Sequence, residues 1–161
     1  MAGHPVRAIS WVLVGMLLMG AIVWLTMPSL MLIEHKSPRD YQATISALQE
    51  AIAGKQDWKV PAVSDFQKTI TESGHGPIDR VGSVALCNPR YASRILADAK
   101  DRKVTAFMPL GIGVYEDKKG EVYVSQLNVG LMGMMFGGTI AEVMADAGED
   151  ISAIIQGVLT Q

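Results

Sequence analysis

The feature that most constrains this chain is an uncharged, apolar segment near its N-terminus. Between Ala8 and Ile33 the sequence contains no Asp, Glu, Lys or Arg. The twenty residues from Ala8 to Met27 would form a helix about 30 Å long, which matches the hydrocarbon thickness of a bilayer. Nine of them are Val, Ile or Leu, and together these side chains favour membrane insertion by about 3 to 5 kcal/mol. The segment therefore predicts one transmembrane helix.

A cleaved signal peptide is the competing interpretation, and the segment fits it less well. Signal peptides have an apolar region of about 7 to 15 residues that is followed by a small-x-small cleavage site. Here the run is longer, and residues 24–28 (WLTMP) offer no such site. We predict an uncleaved signal anchor over residues 1–29, whose helix ends at Pro28. Residues 30–161 then form a soluble domain.

The short tail that carries Arg7 is typical of the cytoplasmic end of a signal anchor. This placement predicts a single-pass protein of the bacterial inner membrane whose soluble domain faces the periplasm.

Composition excludes several classes of function. The net charge is −2 and the basic residues form no stripe, which argues against a nucleic-acid partner. Cys87 is the only cysteine, so an intramolecular disulfide and a thiolate-rich metal site are both excluded. Without the anchor, roughly 130 residues remain, which is enough for one domain with one core.

The pattern of apolar residues predicts an α+β domain. Period-2 and β-rich runs predict strands at 30–35, 58–63, 81–86, 106–115 and 121–127. Helical spacing and capping residues predict helices at 38–54, 65–73, 89–99, 139–148 and 150–159. The elements lack the regular spacing of a doubly wound fold. We therefore expect a small mixed or antiparallel sheet with helices packed on one face, preceded by the single transmembrane helix.

The predicted hairpin at 106–127 has two unlike faces. Gly111 and Gly113 share one face of its first strand, while Leu110, Ile112 and Val114 share the other. A domain this small has few helices to cover the aliphatic face. A second copy or a partner protein is therefore the expected cover, and we consider a homodimer.

Three segments together resemble a known family. They are residues 87–89 (CNP) at a strand end, the hairpin strands 114–117 (VYED) and 122–125 (VYVS), and residues 128–144 (NVGLMGMMFGGTIAEVM). They resemble domain-of-unknown-function family 302, and the resemblance covers residues 30–159. It implies a small α+β domain that self-associates and occurs, mostly in bacteria and archaea, either free or behind an N-terminal apolar segment. It implies no function. Many members carry a cysteine after the proline that matches Pro109, but this chain has Leu110 there.

No motif in the sequence points to catalysis or to a cofactor. Walker loops, dinucleotide fingerprints, HExxH and paired CxxC motifs are all absent. The one conceivable nucleophile–base pair is Cys87 with His75. We predict no catalytic residue and no cofactor, and we interpret Cys87 as a buried core thiol.

The methionines admit two interpretations. Met132, Met134 and Met135 could bind a soft metal such as Cu(I) together with Cys87, since thioethers suit that ion. Flexible methionines also fill adaptable apolar interfaces, and we favour that interpretation and predict no metal. Residues 131–136, here called the Met-rich segment, are predicted as a loop that forms an interface through Leu131, Met132, Met134, Met135 and Phe136.

These observations favour a membrane-anchored, non-catalytic accessory or interaction subunit of a larger bacterial membrane assembly. Gly15, Gly20 and Ala21 would let a helix of a larger subunit approach the anchor closely. The Met-rich segment would form the second contact. The alternative is a ligand- or soft-metal-binding module that uses the Met-rich segment and Cys87.

Overall fold

The computed structural model describes the backbone of residues 4–160 and the side chains of residues 9–160. The outermost part of the predicted tail, and the side chain of Arg7, lie outside these ranges. In chain order the elements are α1 (His4–Met31), β1 (Leu32–Lys36), α2 (Tyr41–Gly54), β2 (Val63–Asp65), α3 (Phe66–Glu72), β3 (Val81–Leu86), α4 (Pro89–Leu96), a 3₁₀ helix (Ala99–Phe107), β4 (Leu110–Glu116), β5 (Val122–Leu127), α5 (Val129–Met134) and α6 (Gly138–Leu159).

The strands form one five-stranded sheet in the order β1-β5-β4-β3-β2, and every pairing is antiparallel. Alternate residues of the central strands point to one face and are fully buried there, namely Val84, Ile112, Val114 and Val124. The helices α2 and α6 supply the other half of this core through Leu48, Ile52, Ile151 and Ile155. The predicted α+β class, with helices on one face of the sheet, is confirmed.

The aliphatic face of the hairpin is covered within the chain. Ile112 and Val114 are 0% exposed beneath the helices, so this face needs no second copy. On the opposite face, a Cβ atom on Gly113 would lie 2.6 Å from Ser125 Oγ, which explains why a glycine stands there. Gly111 has open space at the same position. The expectation that a partner must cover the aliphatic residues is wrong, because α2 and α6 are long enough to do so.

Several predicted strand and helix limits differ from the observed ones. The first strand begins at Leu32 rather than at residue 30, because α1 continues to Met31. The second predicted strand, 58–63, is reduced to a bridge between Lys59 and Cys87, and β2 begins only at Val63. Pro61 explains this reduction, since it has no N–H for a strand ladder. The helix α2 begins at Tyr41, three residues later than predicted, because the side chain of Asp40 accepts the capping bond from Ala43.

A 3₁₀ helix at Ala99–Phe107 replaces parts of two predicted elements. The predicted helix 89–99 ends at Leu96, and the predicted strand 106–115 begins at Leu110. The side chain of Asp98 accepts a hydrogen bond from the backbone N–H of Lys100 and so begins a new turn. Val104 is then buried in the core and holds the segment against the domain.

The C-terminal region contains fewer breaks than predicted. The Met-rich segment is not a loop, since α5 covers Val129–Met134 and is capped by Asn128. The two predicted helices 139–148 and 150–159 are one helix, α6, which begins after Gly137 without a capping box. Gly148 does not end it. A Cβ atom there would lie 3.1 Å from the backbone nitrogen of Gly130, so this glycine allows α5 to pack closely on α6.

The helix α1 passes through Pro28 instead of ending there. The hydroxyl of Thr26 donates to the carbonyl of Ile22, and that of Ser29 donates to the carbonyl of Thr26. Both hydroxyls therefore bond to carbonyls in the C-terminal part of this helix, close to the proline. Its last carbonyls are then capped by Asn128, whose Nδ2 donates to Leu30 O (3.1 Å) and whose backbone N–H donates to Met31 O (2.8 Å).

Asn128 also caps α5, because its Oδ1 accepts the N–H of Leu131 at 3.1 Å. We expect Asn128→Ala to lower the free energy of unfolding by about 1 to 2 kcal/mol, since it removes both side-chain bonds. Asn128→Asp keeps the acceptor but loses the donor, so its free energy of unfolding should lie between those of the parent and of Asn128→Ala. Urea unfolding of the full chain in mild detergent measures the difference. An alanine variant as stable as the parent would contradict the assignment.

Candidate functional site

The structure divides the Met-rich segment into a buried and an exposed part. Met132 is 6% exposed and belongs to the core. A Cβ atom on Gly133 would lie 2.6 Å from Met144 Cβ, so α5 and α6 are in close contact there. Met134 and Met135 are each 73% exposed. Leu131 is half-buried and thus intermediate between the two groups. Only the C-terminal part of the segment is therefore available as a surface.

Phe136 adds an aromatic group to this exposed part. It is 40% exposed, and its ring contacts that of Phe107 edge-to-face with the ring centroids 6.1 Å apart. Sequence reasoning missed Phe107, because its neighbours suggested a strand. We call Phe107, Met134, Met135 and Phe136 together the apolar tip.

Cys87 lies at the end of β3 and is half-buried rather than fully buried. Its backbone exchanges two hydrogen bonds with Lys59 (2.9 and 3.0 Å). The residue lines a small cavity of about 60 Å³ whose wall is almost entirely apolar. The pocket is partly open to solvent, and it is smaller than the ~150 Å³ that accommodates a benzene molecule.

The predicted soft-metal ligands are not brought together around Cys87. The sulfur-bearing residues that share its cavity are Met108 and Met144, whereas Met132, Met134 and Met135 do not line it. His75, the conceivable base, does not line it either. Among the described residues no group of three or more His, Cys, Asp and Glu side chains is placed to hold a metal ion.

Asp150 does not line this cavity but is bonded to two residues that do, Trp58 and Tyr91. Its Oδ2 accepts hydrogen bonds from Trp58 Nε1 and from the Tyr91 hydroxyl, both at 3.0 Å. Its Oδ1 lies 2.9 Å from Lys55 Nζ. Burial raises the pKa of Asp150, but the bonds from Lys55, Trp58 and Tyr91 outweigh this effect, so the pKa lies below its ordinary value. The carboxylate is thus fully engaged in holding α6 against two other elements, and it is not free to act as a base.

The small residues of α1 do not form one contact surface. Successive residues of an α-helix are rotated by about 100°, so Gly15, Gly20 and Ala21 lie at least about 100° apart around the axis. A Cβ atom on Gly15 or Gly20 would meet nothing within 4 Å in this chain. A partner helix can therefore approach α1 closely at one of these positions, but not at all three.

A polar network on the uncovered sheet face was not predicted. The rings of Tyr115 and Tyr123 stack at 5.4 Å. The Tyr115 hydroxyl donates to Glu34, and burial together with this bond raises its pKa to about 12. The Tyr123 hydroxyl donates to Glu121, which also pairs with Lys36 at 2.7 Å. The period-2 pattern could have indicated the shared face, but the register between β1 and β5 was needed to bring these residues together.

An antiparallel sheet with helices on one face, behind a long apolar helix, defines the class of this protein. The profile described as Domain of unknown function DUF302 matches residues 33–158, which is well over half of the chain. The protein belongs to that family, and the resemblance seen in the sequence is confirmed.

The fold is also similar to a crystal structure of the uncharacterized conserved protein DUF302 from Bacillus stearothermophilus. The TM-score is 0.71 at 20% sequence identity, and the match covers 81% of this chain and 99% of the other. No curated protein matches the sequence significantly. These comparisons establish fold and family, and neither supplies a substrate or a partner.

The depressed pKa of Asp150 leads to a pH-dependent prediction. A carboxyl group with a lowered pKa in the folded state stabilises the fold fully above its unfolded-state pKa, and this contribution is lost as the pH falls through the folded-state pKa. We expect Asp150→Asn to lower the free energy of unfolding by about 1 to 2 kcal/mol at pH 7, and the difference from the parent to shrink below about pH 4.

Denaturant unfolding of the full chain at several pH values tests this. Glu149→Gln is the matched control, because the neighbouring Glu149 is exposed and its loss should change stability little. A difference between the Asp150 variant and the parent that stays constant down to pH 2 would show that the charge is not involved.

Proposed function

We propose that this protein is a membrane-anchored, non-catalytic accessory subunit of a larger bacterial membrane assembly. The observation that carries the proposal is the helix segment Ile9–Met31, which is long and apolar enough to cross a membrane and of which 0% is buried inside the described structure. Its 23 residues extend about 35 Å, against a hydrocarbon thickness of about 30 Å. A helix that is apolar on all sides needs lipid or another protein as cover.

The candidate site supports a binding role rather than a catalytic one. A catalytic centre needs a nucleophile or base in a pocket that admits a substrate. Within the described residues, the pocket at Cys87 is small and apolar, and the carboxylate bonded to its wall is occupied by three donors. Two larger clefts are broadly open to solvent, and no cysteine or histidine lines either of them. The alternative function, a soft-metal-binding module, would need the exposed methionines close to Cys87, and they do not line its cavity. We therefore place the accessory role first.

The location that we propose is the bacterial inner membrane, crossed once, with the domain in the periplasm. Support comes from Arg7, which lies near the start of α1 just before the apolar span, because positively charged residues next to a transmembrane segment favour the cytoplasmic side. Lys36 and Arg39 follow the helix on the other side, but they belong to the folded domain, where Lys36 is paired with Glu121.

This orientation can be tested with reporters fused after Gln161. Alkaline phosphatase folds to an active enzyme only outside the cytoplasm, so we expect it to be active in the fusion, and green fluorescent protein at the same position to be dark. Exchange of Arg7 for Glu is the informative variant, since it removes the charge that fixes the orientation and should lower phosphatase activity. A fluorescent and phosphatase-inactive parent fusion would reverse the assignment.

Assembly through α1 gives a second test. Gly15→Leu or Gly20→Leu leaves the isolated chain undisturbed, because nothing lies within 4 Å of either position, but it prevents close approach of a partner helix. We expect at least one of the two variants to migrate at a lower mass than the parent in native electrophoresis of membranes in mild detergent. Val14→Leu is the matched control, since it adds bulk where a large residue already stands. Unchanged migration of both glycine variants, or a monomeric parent, would contradict the proposal.

A further inference from the structure

Exposed apolar side chains of the domain are concentrated at the end from which α1 leaves. Outside α1, seven large hydrophobic residues of the described chain are exposed, namely Leu32, Val63, Phe66, Phe107, Met134, Met135 and Phe136. Leu32 directly follows α1. Met134 and Met135 end α5, whose cap Asn128 is hydrogen-bonded to Leu30 and Met31. Phe107 is held there by its contact with Phe136. Five of the seven thus belong to this end.

The path of the chain keeps the apolar tip near the end of α1. The six residues of α5 rise by about 9 Å from a cap that is bonded to Met31, and Met134 lines the same cleft as Ile33, so Met134 lies within about 15 Å of the last turn of α1. The anchor is about 5 Å longer than the hydrocarbon core, and its C-terminal end therefore reaches the interface. The headgroup region adds about 5 to 7 Å on each side of the bilayer. The tip is consequently within reach of the boundary between headgroups and acyl chains.

Charged residues are scarce at the α1 end of the domain and frequent at the opposite end. No Asp, Glu, Lys or Arg occurs between Glu121 and Glu142, a stretch that contains the three C-terminal residues of the tip. The β4–β5 turn at the opposite end of β5, about 20 Å away, is rich in charge and includes Lys118. In the 3₁₀ helix that ends at Phe107, the exposed Arg102 and Lys103 provide positive charge for anionic headgroups, while Asp98 is paired with Lys100 and Asp101 is buried.

The size of the tip argues against a protein partner as its occupant. A stable protein interface buries about 800 Å² on each side and has a rim of polar groups. Two phenylalanines that are 40% exposed and two methionines that are 73% exposed present less than this, even if each is counted as a large aromatic of about 250 Å². A lipid surface has no minimum area and accepts flexible side chains without complementary shape.

We propose that Phe107, Met134, Met135 and Phe136 insert into the headgroup–acyl boundary of the membrane that α1 crosses. The domain is then held against the bilayer at two points, the anchor and the tip, and its orientation on the membrane surface is fixed. This inference rests on the proposed function, because it takes α1 as a membrane anchor.

The test uses single cysteines in the full chain, with Cys87→Ser as the background and Cys87→Ala as a second background if the first does not fold. Met135→Cys reports the tip, Lys118→Cys the opposite end of the domain, and Val14→Cys the N-terminal half of α1. Each is labelled with bimane and reconstituted in phosphatidylcholine–phosphatidylglycerol vesicles. Quenching is measured with a lipid that carries a nitroxide near the top of its acyl chain and, separately, with iodide in water.

We expect the nitroxide lipid to quench the label at position 135 at least about twofold more than the label at 118, as for a group that enters the boundary region by about 5 Å. Iodide should show the reverse order. Strong lipid quenching at 14 with none at 135 overturns the docking surface and leaves the anchor intact. Protection of 135 from both quenchers also overturns it, because a protein would then cover the tip. Absence of lipid quenching at 14 removes the anchor itself, and with it the proposed function.

Discussion

The arrangement of this protein depends on the hydrogen bonds of one side chain, Asn128. It stands where β5 ends and α5 begins, and it bonds at the same time to the last carbonyls of α1 and to the N–H of Leu131 in the first turn of α5. Both helix ends would otherwise leave backbone groups without partners. Because one residue bonds to both helix ends, the direction of α1 is coupled to the position of α5.

Close packing between α5 and α6 is the second constraint, and it determines which methionines are exposed. Gly133 and Gly148 remove the side chains that would separate the two helices. Met132 consequently lies in the core, while Met134 and Met135, which follow it in the chain, remain exposed. The same short segment therefore adds to the stability of the domain and supplies its apolar surface. This double role explains why a composition rich in methionine and glycine does not produce a flexible loop here.

Sequence reasoning succeeded where local pattern and local chemistry agree. The strand Val81–Leu86 is a β-rich apolar run, and Asn88 caps the helix that begins at Pro89, so both were predicted. It failed where a tertiary contact decides the conformation. A glycine such as Gly148 is typical of a helix end. It lies inside α6 here because α5 packs against it. The division of the Met-rich segment likewise required the three-dimensional structure, since helical periodicity does not show which face α6 will cover.

The uncovered face of the sheet has a consequence for how the domain meets its surroundings. Its exposed residues at the end far from α1 satisfy one another, since Tyr115 bonds to Glu34, and Tyr123 and Lys36 both bond to Glu121. Burying this surface against a partner would exchange existing hydrogen bonds for new ones. Each bond that breaks costs about as much free energy as a new bond returns, so the surface gains little by burial. The apolar tip has no such partners in water and gains from burial. The physical chemistry of the two ends therefore favours a domain that turns its tip to an apolar phase and leaves its polar network in solvent.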